Sequence, residues 1–294
     1  MKIAAALTGQ SFSGRGSYTA KQFYFNLLKY LLLVLGVLIV ILPLLVVIFT
    51  SFKSDVEYTQ TSVFQLPASF LNFENYYKAF TQGEFILAFG NSFIIVLFGV
   101  IGNVAFGSMT AFCLHRFDFK LKKVINGIYY LSAIVPTMCL QVSIYSLLKS
   151  LGVINTYLAP LLLYATTDIV MIWIYMQFLD KIPKSLDESA MIDGASYFKI
   201  FRSIIFPLLT PATATIVILK AITIYNDLFT QVLYMSRQEL RTVTTALIIF
   251  QGDRINAQNL MSAGIIWVML PTVILFLVLQ KYIFSGITVG AVKE

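Results

Sequence analysis

Asp168 and Lys220 are oppositely charged residues that interrupt otherwise uncharged stretches of this sequence. The first lies within 156–179 and the second within 204–226. An unpaired charge at the centre of a lipid bilayer costs about 2.5–3.5 kcal/mol or more, so each needs compensation. At about 1.5 Å per helical residue, Asp168 would lie about 17 Å from one end of its stretch and Lys220 about 24 Å from the matching end. Because the lysine stem is long, we hypothesise that the two side chains pair or share one polar cavity; a structural ion pair and a direct ligand contact remain equal alternatives.

A second polar group follows the end of the stretch that contains Lys220. It consists of Tyr225, Asn226, Asp227 and Phe229. Aromatic faces beside an amide and a carboxylate suit a ligand that is rich in hydroxyl groups. An aromatic belt at a membrane interface would have the same composition, so both interpretations stay open.

A third pattern lies between these two stretches and predicts a short helix. Ser185 and Glu188 have the spacing of a capping box, so the helix should begin at Leu186. Gly194 can adopt the left-handed conformation that ends a helix, after which the chain restarts at Tyr197. Such a helix has about two turns and would need a docking surface, because short helices are unstable alone in water.

The side chains of this segment suit an interface. Small residues along it would allow close approach of its backbone to a groove; they are Ser189, Ala190, Gly194 and Ala195. Large aromatic residues that could anchor the contact come next; they are Tyr197, Phe198 and Phe201. The alternative is an amphipathic loop that rests on lipid headgroups.

The composition shows which elements must carry these residues. The 294 residues are 58% hydrophobic and 12% charged, against about 25% charged residues in soluble domains. Mean hydropathy is +0.82. Six apolar runs are long enough to cross about 30 Å of hydrocarbon as helices. They are 30–52, 85–114, 124–148, 156–179, 204–226 and 260–280.

Charge placement sets the predicted orientation. Most Lys and Arg residues fall in segments that are cytoplasmic if the N-terminus is cytoplasmic. We therefore predict an all-α polytopic membrane protein with six transmembrane helices and both termini in the cytoplasm. The predicted parts are a cytoplasmic segment 1–29, a first span 30–52, an outer loop 53–84, a core 85–284 that includes the segment 181–207, and a cytoplasmic tail 285–294.

Several kinds of site are not predicted. Cys113 and Cys139 lie in apolar runs and are interpreted as buried hydrophobes, and His115 lacks nearby partners, so we expect no metal site. Basic residues flank the spans instead of forming a stripe, which argues against nucleic acid. The sequence has no phosphate-binding loop of the G-x-x-x-x-G-K-[ST] type and no catalytic constellation. Enzymatic activity is not expected of this polypeptide.

A family resemblance follows from the segment that contains Gly194. The sequence Glu188-Ser-Ala-Met-Ile-Asp-Gly194, followed by Ile204-Ile-Phe-Pro207, resembles the EAA motif of ABC importer permeases. Ser189 replaces the usual Ala, and Phe206 replaces the usual Leu. Further segments resemble the maltose-type carbohydrate permease subfamily, although Tyr225 stands where Trp is common. These segments are 134–136, 151–157, 182–183, 193–194, 226–227 and 286–293.

The resemblance implies a mechanism and a set of partners. It implies a coupling helix that docks in a cleft of a cytoplasmic ATPase, with a C-terminal tail that reaches the ATPase dimer interface. The implied coupling residues are Glu188, Ser189, Ala190, Asp193, Gly194, Ala195, Tyr197 and Pro207, and the implied tail residues are Gly290, Ala291, Val292 and Lys293. The implied substrate-pathway residues are Asp168, Lys220, Tyr225, Asn226, Asp227 and Phe229.

By the same resemblance, this chain would bind no cofactor, and ATP and Mg would be bound by the partner ATPase. Expected partners are a second homologous permease, an ATPase dimer, an extracytoplasmic solute-binding protein, a sugar and the lipid bilayer of a bacterial or archaeal cell. Alternatives are a permease for another small polar solute, an ion-driven secondary transporter, and a scaffold without transport activity. A secondary transporter would favour several intramembrane carboxylates, whereas only Asp168 is clearly of that kind.

Overall fold

The computed structural model describes residues 20–251 and 258–291, and every regular element within these ranges is helical. The first half contains α1 (Ala20–Phe52), α2 (Asp55–Gln60), α3 (Glu74–Gln82), α4 (Phe85–Arg116), α5 (Lys122–Ile134), α6 (Thr137–Ser150), α7 (Leu158–Tyr164) and α8 (Ile169–Leu179). The second half contains α9 (Ser185–Ile192), α10 (Tyr197–Ile200), α11 (Phe206–Leu208), α12 (Thr210–Tyr225), α13 (Phe229–Tyr234), α14 (Val243–Ala246) and α15 (Gln258–Ala291). A π-helical turn, Phe201–Ile205, joins α10 to α11, and short 3-10 turns cover Gln238–Leu240 and Leu247–Gln251.

Within the residues that the structure describes, three helices are long and apolar enough to cross a membrane unaided. These segments are Tyr24–Phe52 of α1, Phe85–Arg116 and Gln258–Val278 of α15. They correspond to the first, second and sixth predicted spans, with ends that differ by up to six residues. Pro43 lies inside α1 and Pro271 inside α15, and membrane helices tolerate such interruptions because neighbouring groups can satisfy the freed carbonyls.

Three further candidate spans are pairs of helices that bend at a short break. The bend is 107° between α5 and α6, 44° between α7 and α8, and 76° between the Tyr197–Leu208 stretch and α12. Counting each pair as one span gives six, the number predicted from the apolar runs.

Because of these bends, the third and fifth apolar runs are not single straight helices across the membrane. Pro136 lies two residues after the end of α5 and restricts the intervening Val135 to an extended conformation, so the run does not continue as one helix. The fifth run starts at Ile204, but its straight helix begins only at Thr210. Pro207 and Pro211 flank that start and lack backbone N–H donors, which accounts for the turn at this point.

Helix α4 lies at the centre of the packing and contacts α7, α8 and α12. The largest buried cluster joins α4, α8 and the α10–α12 region; among its members are Phe112, Met171, Tyr175, Leu179, Ile205 and Ile216. The Tyr175 hydroxyl lies 3.1 Å from the Thr213 hydroxyl, which links α8 to α12. Helix α1 packs on α15 and α3 and leaves most of its apolar surface exposed, as expected for a helix in lipid.

The predicted outer loop 53–84 is compact. The buried Lys53 amine donates to the Thr61 hydroxyl at 3.0 Å and to the Ser62 carbonyl at 2.7 Å. The Asn259 amide donates to an Asp55 oxygen at 2.7 Å. The Lys53 bonds hold the loop together, and the Asn259 bond joins it to the beginning of the last span.

Candidate functional site

Helix α9 is the predicted coupling segment, and its start differs from the prediction. It begins at Ser185, with Lys184 in a helical conformation and no side-chain cap, so the predicted capping box is wrong. The Asp187 and Glu188 N–H groups, which a Ser185 cap would accept, both donate to the Lys184 carbonyl, at 3.0 and 3.1 Å. Because the preceding turn already satisfies these donors, the Ser185 side chain does not cap the helix.

The end of α9 agrees with the prediction. Gly194 has φ +78°, in the left-handed region. Its N–H donates to the Met191 carbonyl at 3.0 Å, and the Ala195 N–H donates to the Ala190 carbonyl at 2.9 Å. This pair of bonds is a Schellman motif. The Ser196 hydroxyl then caps α10, which starts at Tyr197 as predicted.

One face of α9 packs against the rest of the chain, and the opposite, open face is exposed. Ala190 belongs to the same buried cluster as Leu114 and Leu179, so this predicted coupling residue faces the chain's own core. Of the residues predicted to couple to an ATPase, Ala195 is half-buried and the exposed ones are Glu188, Ser189, Asp193, Gly194, Tyr197 and Pro207. Ile192, on the open face, is 87% exposed.

The predicted aromatic anchors divide in the same way. Phe201 is buried and its ring packs against Phe112 and Phe206, so its expected role in an external interface is wrong. The π-helical turn that it opens directs it into the core. Tyr197 and Phe198 stay exposed.

An ion pair that sequence reasoning missed fastens α9 to the end of α4. The Arg116 Nε lies 2.7 Å from an Asp187 carboxylate oxygen, and Arg116 Nη2 donates to the Ile182 carbonyl at 3.0 Å. Beside it, His115 Nε2 lies 2.7 Å from an Asp180 oxygen. Burial raises the pKa of the Asp187 carboxyl above its ordinary value, and the charges of Arg116 and His115 act in the opposite direction.

Asp168 lies at the break between α7 and α8. One of its oxygens accepts the Met171 N–H at 3.0 Å and caps α8, and the other forms an ion pair with Lys220 on α12. The buried Asn103 of α4 donates to the Thr166 carbonyl at 2.7 Å. It also donates to the Tyr164 carbonyl at 3.2 Å. The freed backbone groups on both sides of the break thus have partners.

The group at the end of α12 is largely used within the chain. The Tyr225 hydroxyl donates to the Val268 carbonyl of α15 at 3.0 Å. Asp227 accepts from the Tyr164 hydroxyl at 2.9 Å and from the Thr230 N–H at 3.0 Å. These side chains connect spans, which is a structural role that the sequence did not predict.

Asn226 and Phe229 are the exposed members of that group. The Asn226 amide donates to the Ile222 carbonyl at 2.9 Å, one turn earlier in α12. Of the predicted tail residues, Gly290 and Ala291 continue α15, whereas Val292 and Lys293 lie outside the described residues. Within the described ranges no group of three His, Cys, Asp or Glu residues could hold a metal ion. Cys113 and Cys139 are exposed free thiols there, so their predicted burial is wrong; Cys113 lies in an apolar groove beside Phe117 and Tyr197.

A bundle of six candidate spans with a short helix seated at one end is the fold of a transport permease. The chain belongs to the family of binding-protein-dependent transport system inner membrane components, whose family model matches residues 103–289. This confirms the family resemblance drawn from the EAA-like segment. The matched range contains the coupling segment, Asp168 and Lys220.

Named relatives extend the similarity over most of the chain. The melibiose/raffinose/stachyose import permease MelC of Bacillus subtilis is 34% identical, over 86% of this chain and 91% of that protein. The trehalose/maltose transport permease MalG of Thermococcus litoralis is 31% identical, over 91% and 98%. A crystal structure of a bacterial ABC transporter for the acidic polysaccharide alginate contains a chain with the same fold, with TM-score 0.80 and 22% identity over 90% of this chain and 98% of that one.

Proposed function

We propose that this chain is a permease subunit of an ATP-driven, binding-protein-dependent importer of oligosaccharides, and that it forms half of the translocation pathway. The observation that carries the proposal is α9, a two-turn helix with one face packed on the core and an exposed face that includes Glu188, Ser189 and Ile192. Family membership and relatives named for sugar import support it. The alternative solute is another small polar molecule.

The proposal includes partners that supply energy and substrate. A cytoplasmic ATPase dimer that holds ATP and Mg would receive the open face of α9. A second homologous permease would complete the pathway, and an extracytoplasmic binding protein would deliver the sugar. Closure of the ATPases would then change the direction in which the spans open. The complex would reside in the plasma membrane of a bacterial or archaeal cell.

The ion pair at the break between α7 and α8 supports a proposal for where the translocation pathway lies. The Asp168 and Lys220 side chains are 37% and 26% exposed in this chain, so the pair is not enclosed by it. A charged pair and a broken helix at membrane depth are tolerated where they are buried in protein or line a water-filled cavity. We therefore expect this side of α8 and α12 to face the second permease subunit, with Asn226 and Phe229 further along the same pathway.

Gly194 offers a direct test of docking. A Cβ atom at Gly194 would have nothing within 4 Å in the described chain, so a side chain there starts in open space. Any larger residue does incur backbone strain, since φ is positive, of about 1 kcal/mol. Gly194→Ala measures that strain alone, and Gly194→Trp adds bulk that only a partner would feel.

We expect tagged wild-type chain to copurify with an ATPase and to support sugar uptake in vesicles. Gly194→Ala should keep both within about threefold, whereas Gly194→Trp should lose most of the ATPase and at least about tenfold of the uptake. Equal uptake by the Trp and Ala variants would contradict docking at α9. Uptake by the purified chain without an ATPase would instead support the ion-driven alternative.

A further inference from the structure

We propose that Arg116 is a positioning residue that fixes the orientation of α9 on α4 through its ion pair with Asp187, so that movement of α9 is transmitted to the spans. The inference rests on the proposed function, because it assigns a transmission path to the coupling helix. The ion pair joins two segments that are far apart in the sequence and that form opposite sides of one contact.

Burial distinguishes this ion pair from the others on the same side of the described chain. The Arg116 and Asp187 side chains are 5% and 11% exposed. By contrast, Asp118 and Lys122 pair within one turn at the start of α5, where Asp118 is almost fully exposed. An exposed pair of that kind contributes little, because water competes for both charges.

Arg116 makes one directional contact and one charge contact on this side. Its Nη2 donates a hydrogen bond to the Ile182 carbonyl in the connection that precedes α9, and its Nε lies 2.7 Å from an Asp187 oxygen on α9 as an ion pair without an aligned hydrogen bond. A planar guanidinium keeps these two contacts at a fixed relative angle. The helix and the chain that leads into it are therefore fixed to the same side chain.

Apolar packing alone would leave α9 freer to turn. Ala190 lies one turn after Asp187 on the same face and is the buried apolar contact of α9. One small apolar contact is non-directional. The hydrogen bond from Arg116 to Ile182 and the ion pair with Asp187 supply the orientation that the alanine contact lacks.

The helices that would transmit the movement of α9 further are in contact with α4. Helix α4, which carries Arg116, packs against α7, α8 and α12, and these helices contain the break at Asp168 and the paired Lys220. A buried ion pair can often be replaced by an apolar pair without loss of stability. The contribution expected of Arg116 is therefore geometric, and the test must separate coupling from folding.

The test uses the full importer, reconstituted in vesicles with its ATPase, second permease and binding protein. The decisive variant is the double change Arg116→Met with Asp187→Leu, which replaces the ion pair by an apolar contact and leaves no buried charge unpaired. The measurements are the amount of assembled complex, ATP hydrolysis and sugar uptake, with uptake expressed per ATP hydrolysed. Lys122→Met, which removes the exposed pair, is the matched control.

We expect the double variant to assemble with the ATPase in normal amount and to hydrolyse ATP, while uptake per ATP falls about tenfold, within the usual range of coupling between sites. Lys122→Met should change neither quantity. Arg116→Lys, which retains the charge but not the two-partner geometry, should fall between the double variant and the wild type. Wild-type uptake per ATP in the double variant would overturn the inference. Failure of the wild-type chain to bind any ATPase would overturn the proposed function itself.

Discussion

The two carboxylate oxygens of Asp168 have different partners. The helix cap and the ion pair that they form can therefore be tested by different substitutions. One oxygen caps α8 through the Met171 N–H, and the other pairs with Lys220. An N-cap of this kind contributes about 0.5–2 kcal/mol. Asparagine can also accept a cap bond, so Asp168→Asn removes the charge and keeps the cap.

We predict that Asp168→Asn reduces the amount of folded chain in the membrane, because it leaves the Lys220 ammonium unpaired at a cost of about 2–3 kcal/mol or more. Asp168→Asn combined with Lys220→Met should restore much of that amount, since both charges are then absent. Quantitative detection of the chain in washed membranes measures this effect. A double variant that is no better than Asp168→Asn alone would rule out the pair as the cause.

The charge reversal Asp168→Lys with Lys220→Asp is expected to restore less. It recreates an ion pair, but a lysine cannot accept the Met171 N–H, and a positive charge at a helix N-terminus is unfavourable. If full reversal performs as well as the neutral double variant, the cap contributes nothing measurable.

The sequence predicts that the two charged side chains lie close together, but it does not predict the break between α7 and α8. Depth along two apolar runs was enough to bring Asp168 near Lys220, because membrane helices have a fixed rise per residue. The break itself is satisfied from another helix, since Asn103 of α4 donates to the Tyr164 and Thr166 carbonyls beside it. A partner so distant in the sequence leaves no local signal. The same holds for Arg116 and Asp187.

At the scale of elements, α4 and the broken fourth span approach each other closely at Gly102. A Cβ atom at Gly102 would lie 2.8 Å from the Ala165 Cβ and 3.4 Å from the Ala165 Cα. Ala165 lies at the break itself and has no flexible side chain that could move away. By contrast, Gly90, on the same helix, has nothing within 4 Å of its Cβ position.

We predict that Gly102→Ala lowers the free energy of unfolding by about 1–3 kcal/mol, because overpacking must push α4 and the break apart. Gly90→Ala should be neutral or stabilising, since alanine is the better helix former. Thermal unfolding of the purified chain in detergent compares the two variants. The close approach at Gly102 would be contradicted if Gly102→Ala unfolded at the same temperature as Gly90→Ala.

Prediction of the elements succeeded where composition carries the information. Six runs of suitable length gave six candidate spans, because only long apolar helices satisfy the backbone in lipid. The prolines that bend the third and fifth spans, such as Pro136 and Pro207, are visible in the sequence as interruptions. The 44° bend of the fourth span has no proline at its break, so it depends on tertiary contacts.

At the scale of the whole molecule, two exposed apolar side chains mark opposite ends of the bundle. Ile192 on α9 is 87% exposed, and Leu71 in the loop 53–84 is 82% exposed. The distribution of Lys and Arg predicts that the loop faces outward and that α9 faces the cytoplasm. Exposure at both positions allows small probes to report which side of the membrane each one occupies.

We predict that Leu71→Cys reacts with a membrane-impermeant maleimide added to intact cells, whereas Ile192→Cys reacts only in inside-out vesicles. Cys113 and Cys139 are exposed thiols, so both must first be replaced by serine to give a silent background.

If α9 docks in an ATPase, labelling of Ile192→Cys should fall at least about tenfold when the assembled ATPase is present and return when it is stripped away, because the docked face excludes water and reagent. Leu71→Cys faces the lumen of these vesicles, so it should stay unlabelled with and without the ATPase, which confirms that the vesicles are sealed and inside out. Labelling of Ile192→Cys from outside intact cells would reverse the orientation, and unchanged labelling in the presence of the ATPase would mean that the open face of α9 is not the docking surface.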